Sequence, residues 1–85
     1  MDARKRARNE RTFETWEDLP GGGRRYSLPV PGRLGWLARY IKEVDSEETT
    51  VRFRQEVYDG SGRLRETHEK HPVDLGHQHV GTEES

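Results

Sequence analysis

Residues 35–58, GWLARYIKEVDSEETTVRFRQEVY, decide the fold. Two runs rich in β-branched and aromatic residues, Gly35–Val44 and Thr49–Tyr58, flank the acidic loop Asp45-Ser46-Glu47-Glu48. Such runs, joined by a short polar segment, read as a β-hairpin. Taking the loop as those residues pairs Val44 with Thr49, and so Tyr40 with Phe53 and Trp36 with Val57. Aromatic and aromatic–β-branched pairs of this kind are worth about 0.2–1 kcal/mol each. All four side chains fall on one face, and a one-residue slip would scatter them.

Working outward, Asp59-Gly60-Ser61-Gly62 is a second hairpin turn. Pairing Tyr58 with Arg63 sets Val57 against Leu64, and on the opposite face Glu56 against Arg65 and Arg52 against Glu69. Exposed ion pairs add less than about 1 kcal/mol, so they speak for register more than for stability. The strand Arg63–His71 has Leu64 as its one aliphatic residue, reads as a charge-guarded edge, and ends at Pro72. Upstream, Tyr26, Leu28 and Val30 alternate with polar or small residues. Pro29 and Pro31 cannot donate to a ladder, so that strand lies at an edge or ends early. Residues 12–18 fit either a helical turn, with Phe13 and Trp16 three apart, or a short strand paired across Leu19-Pro20-Gly21-Gly22-Gly23.

The expected fold is all-β or mainly β: an antiparallel meander of four or five strands. One domain spans residues 12–80, between a disordered basic tail at 1–11 and a disordered tail at 81–85. Only 28% of the 85 residues are hydrophobic and 36% are charged, which is close to the lower limit for a packed core. A chain this short buries roughly 60% of its unfolded surface. Without cysteine, neither disulfides nor thiolate zinc sites can staple it. The apolar face (Trp36, Ala38, Tyr40, Val51, Phe53, Val57 and Leu64) therefore needs a cover. The candidates are the Phe13/Trp16 segment folding back, the sheet curling into a small barrel, and a second protomer.

The net charge of −1 conceals a gradient. Residues 1–12 hold Arg4, Lys5, Arg6, Arg8 and Arg11 against Asp2 and Glu10, whereas residues 72–85 hold Asp74, Glu83 and Glu84 without a cation. The basic segment is a solvated terminus or an arm for phosphates. On the polar face Arg39, Arg52 and Arg54 offer contacts to RNA or single-stranded DNA, although Arg39 falls opposite Arg54 in this register. The four histidines lie at His68-x2-His71-x5-His77-x-His79, and His68, His77 and His79 are weak metal candidates. No catalytic residue stands out, because no P-loop, G-x-S-x-G or H-E-x-x-H motif is present. No cofactor is expected, and neither a signal peptide nor a membrane span is visible, so the location is cytoplasmic by default. The leading expectation is a non-enzymatic binding protein that self-associates, or meets a protein partner, through Trp36, Tyr40, Phe53 and Val57.

From Pro31 to Val80 the chain resembles a family of short, uncharacterised prokaryotic proteins. The pattern runs through RYIKEVD (39–45), RFRQEVYD (52–59) and ETHEKHPVDLGH (66–77). That resemblance implies no activity. Asp74, Gly76, His77 and His79 are also similar to the ending of TumE-type toxins of toxin–antitoxin systems, short β-meander proteins. This similarity implies a cognate antitoxin of nucleotidyltransferase character as partner.

Overall fold

The computed structural model describes residues 1–73 and 76–80. Its elements are α1 (Ala3–Phe13), β1 (Thr15–Asp18), β2 (Arg24–Pro31), β3 (Leu37–Val44), β4 (Thr50–Tyr58), β5 (Leu64–His71) and β6 (Gly76–His79). The strands form one antiparallel sheet in the order β1-β2-β3-β4-β5-β6. Among the described residues β1 and β6 do not pair, so the sheet stays open and is not a barrel. The meander has six strands among the described residues, rather than four or five. The addition is β6, which pairs His68 with His77 and Glu66 with His79 and takes the outer edge from β5.

Residues 3–11, expected within a disordered tail, are helical, and the helix runs on to Phe13. Asp2 caps it, its Oδ1 accepting from the backbone N–H of Arg4 (3.1 Å) and Lys5 (3.0 Å). Glu14, at φ 70°, ends it in the left-handed conformation. An isolated helix of this length is marginal, and cations in its first turn oppose its dipole. Packing must hold it. Arg6, Asn9 and Phe13, spaced three and four apart, line the face turned to the sheet, with Asn9 and Phe13 buried. Residues 12–18 divide accordingly: Phe13 closes the helix and Trp16 enters β1, which pairs with β2 across the glycine turn. At Gly23 a Cβ would stand 2.3 Å from the Val44 carbonyl oxygen, so no larger residue fits there.

Phe13 closes a small core with Tyr26 and Val44, against which Leu28, Tyr40 and Phe53 pack. The Phe13 ring lies 5.6 Å from Tyr26 and 6.4 Å from Phe53, centre to centre. The folding-back segment is thus the cover, but it covers only one end of the sheet. β1 stops at Thr15↔Ser27, so the proline-bearing half of β2 is an edge, as Pro29 and Pro31 require.

Both central registers differ from the expected ones by two residues. Tyr40 faces Gln55 and Lys42 faces Phe53. A shift of two preserves the faces, so Tyr40 and Phe53 still meet diagonally at 6.5 Å. It also places Arg39 opposite Glu56 and Ile41 opposite Arg54, which removes the expected Arg39–Arg54 clash. In β4–β5, irregularities at both ends set Tyr58 against Leu64 and Val57 against Glu66. The expected Glu56–Arg65 pair is absent: Glu56 joins Arg54 (3.1 Å) and Arg65 joins Asp59 (3.2 Å). Arg54 rather than Arg52 stands opposite Glu69, yet the Arg52–Glu69 ion pair forms diagonally, with contacts of 3.0 and 2.8 Å. Among the described residues no helix is long and apolar enough to cross a membrane.

Candidate binding site

The β3–β4 turn aims a carboxylate inward. Asp45 N–H donates to Thr49 O (2.9 Å) and Glu48 N–H to Asp45 O (3.0 Å), leaving Glu48 left-handed at φ 68°. For a residue with a Cβ this conformation costs roughly 1–2 kcal/mol. The Glu48 side chain is wholly buried beneath α1. Its Oε1 accepts from Arg6 Nε (3.0 Å), and its Oε2 accepts from Asn9 Nδ2 (3.2 Å) and from the Tyr26 hydroxyl. Asn9 Oδ1 in turn accepts from Lys42 Nζ (3.0 Å). A buried charge is tolerated only when it is paired and hydrogen-bonded in this way.

Burial pushes the Glu48 carboxyl upward, but the donors from Tyr26, Asn9 and Arg6 outweigh it and hold it below its ordinary value. The Tyr26 hydroxyl is pushed up by burial and by its bond to Glu48. Lys42 is pushed down by burial and by the cations Arg8 and Lys5, against the pull of Glu48.

Beside this network lies a cleft of about 160 Å³, lined by Lys5, Arg8, Asn9, Lys42, Glu48, Thr49 and Thr50. Among the described residues, no carboxylate stands within ion-pair distance of Lys5, Arg8 or Lys42. Glu48, the acid in the lining, has both oxygens committed to Arg6, Asn9 and Tyr26. Three donors hold that carboxylate in place, and the three cations leave the cleft positive.

The expected site residues separate. Tyr40 and Phe53 lie together but belong to the packed end, where Lys70 Nζ sits 5.4 and 5.7 Å from their ring centres. Val57 is half-buried opposite Ala38, and Trp36 precedes β3, 37% exposed. Arg39, Arg52 and Arg54 share the opposite face, but Arg52 is engaged by Glu69 and Arg54 by Glu56. Arg39 stands 5.9 Å from the Tyr58 ring, in a wider trough of about 400 Å³ between the turn at residues 33–35 and the β4–β5 turn. That face is an ionic lattice in which Arg25 joins Glu17 (3.2 Å) and Glu43 (3.0 Å), and Ile41 is buried within it. The His68 and His77 rings approach to 4.4 Å and His79 faces Glu66. Among the described residues no group of three or more His, Cys, Asp or Glu could hold a metal. Asp74 and residues 81–85 lie outside the described residues.

Sequence reasoning missed Lys5, Arg8, Asn9, Lys42 and Glu48 as one constellation. It took Glu48 for a polar loop residue and the first eleven residues for a tail. The usable signal was the Arg6/Asn9/Phe13 spacing behind a capping Asp2. No family model, curated protein or solved structure matches the chain, so both resemblances stand on the residues quoted for them.

Proposed function

We propose that the chain is a non-enzymatic binding module that works as a pair of copies, joined through the end of the sheet that α1 leaves uncovered. The observation that carries this reading is the division of the apolar face. Phe13, Tyr26 and Val44 are buried at one end, while Val30 (41%), Leu34 (92%) and Trp36 (37%) remain exposed at the other. Leu34 adds a second sign, being an exposed leucine in a left-handed conformation at φ 57°. Strain and exposed apolar surface at one point are characteristic of contact sites.

A second copy suits this patch. Two-fold pairing sets each patch against itself, which puts like charges together wherever a patch is charged. Val30, Leu34 and Trp36 bring none, and a net charge of −1 offers little long-range repulsion. Tyr40 and Phe53, already packed, lend rigidity behind the contact rather than area to it.

Light scattering coupled to size exclusion over a dilution series tests the reading. The wild-type chain should be dimeric at high concentration and dissociate on dilution. Trp36→Glu should be monomeric throughout with an unchanged circular dichroism spectrum. Val51→Glu, which charges an exposed apolar residue on β4 outside the patch, should leave the dimer intact. A wild-type chain that stays monomeric at every concentration sinks the proposal.

A further inference from the structure

The cleft under α1 has the composition of an oxyanion receptor, independently of how copies associate. We propose that it seats a phosphate group of a single-stranded nucleic-acid backbone, with Lys5, Arg8 and Lys42 as cationic contacts and Thr49 and Thr50 as hydroxyl donors. At about 160 Å³ it offers roughly ten times the volume that one water needs. Three cations converge there from two elements, Lys5 and Arg8 on α1 and Lys42 on β3. Each lacks an ion-pair partner among the described residues, while Arg6, Arg24, Arg25, Arg52, Arg54 and Arg65 each have one. Two nearby acids are occupied: Glu48 by the buried network, and the exposed Glu47 by the amino terminus at 3.2 Å.

Lys42 is the informative member. It is half-buried and spends one donor on Asn9, and an ammonium carries three. An ammonium held in such a place, crowded by Arg8 and Lys5, gains most from a bound anion. Asn9 fixes its position, and Glu48 fixes Asn9, so the receptor is preorganised by the buried carboxylate.

A polynucleotide fits better than a lone phosphate because the positive charge runs on past the cleft. Arg4, Arg8 and Arg11 are exposed at spacings of four and three, a stripe of roughly 10 Å along the helix. That length accommodates a neighbouring phosphate beside the seated one. A single strand can turn its phosphates into a concave site, whereas a duplex presents them on a convex cylinder.

The test uses the full chain and a fluorescent oligothymidylate of about twelve nucleotides, a span typical of single-strand sites. Anisotropy titrations are run over a salt series. The Lys5→Ala/Arg8→Ala variant should lose about tenfold or more in affinity at low salt, and its log–log salt slope should flatten by about 1.4. Arg33→Ala/Arg63→Ala removes equal charge from exposed turn positions and should stay within about twofold of wild type. Lys42→Gln should weaken binding with the helix still in place by circular dichroism. Inorganic phosphate should compete with the oligonucleotide and shift the amide resonances of Thr49 and Thr50. Equal losses in the two double variants would reduce the binding to general electrostatics and overturn the site. Binding of inorganic phosphate without binding of the oligonucleotide would overturn the nucleic-acid source.

Discussion

The β3–β4 and β4–β5 hairpins close through loops of one backbone plan. Asp45 N–H donates to Thr49 O as Asp59 N–H donates to Arg63 O, both at 2.9 Å. Asp45 Oδ1 accepts from Glu47 and Thr49 N–H (2.9 and 3.0 Å), and Asp59 Oδ1 accepts from Ser61 and Arg63 N–H at the same distances. Each loop turns the third residue after its Asp left-handed, Glu48 at φ 68° and Gly62 at φ 85°. This is the three-residue hairpin loop with a bulge, whose left-handed place favours glycine. The β4–β5 turn obeys the local preference. The β3–β4 turn violates it and uses the strained Glu48 to tie the helix down. What differs is therefore the neighbour: α1 lies over the β3–β4 turn, whereas the β4–β5 turn rests its Gly60 against the Leu34 backbone and leaves Gly62 in open space. A residue that breaks a local rule while gaining contacts from a distant segment marks where the fold is committed to a task.

The largest test of that contrast is removal of the carboxylate. Glu48→Ala leaves Arg6, Asn9 and the Tyr26 hydroxyl without their acceptor and keeps the backbone strain, so urea unfolding should show a loss of about 3 kcal/mol. Glu48→Gly loses the same network but relieves the strain. It should be more stable than Glu48→Ala by about 1 kcal/mol while remaining below wild type. If glycine restored wild-type stability, the buried network would contribute nothing, and the two turns would differ only by an accident of composition.

A pH series sharpens the same point. The Glu48 carboxyl is depressed in the fold, so it contributes stability above its unfolded value, near 4.3, that is lost as pH falls through the folded value. Glu56 and Glu69 are depressed as well and titrate in the same direction, so the comparison must be made between variants. The gap in stability between wild type and Glu48→Gln should be full at neutral pH and shrink below about pH 4. A gap independent of pH would mean that the Glu48 charge does not matter.

Much of the sheet was legible. The alternation of Tyr40, Phe53 and Val57, the glycine turn before β2 and the edge character of the proline-bearing strand all follow from period and turn chemistry. The registers were not legible: each loop is one residue shorter than the Asp-led four-residue count, since Asp45 pairs with Thr49 and Asp59 with Arg63. An irregularity at Glu43/Val44 or at Val57/Tyr58 adds a second residue. The helix was hidden for a related reason: five cations near one terminus read as solvated. What orders them is a long-range network in which Asn9 and Arg6 reach Glu48, some forty residues on. The binding cleft inherits that blindness, since Lys5 and Lys42 meet only after the helix has docked.

The smallest effect expected is at the conforming turn. A Cβ added at Gly62 would meet nothing within 4 Å, so Gly62→Ala changes only the backbone preference at φ 85°. The cost should be about 1 kcal/mol, read as a lower midpoint in urea with an unchanged slope. It should also be additive with Glu48→Ala, since Gly62 shares no hydrogen-bonding partner with Glu48. A loss at Gly62 as large as that of Glu48→Ala would mean that the turn without the helix matters as much to stability as the turn beneath it, and would remove the case that α1 is what distinguishes them.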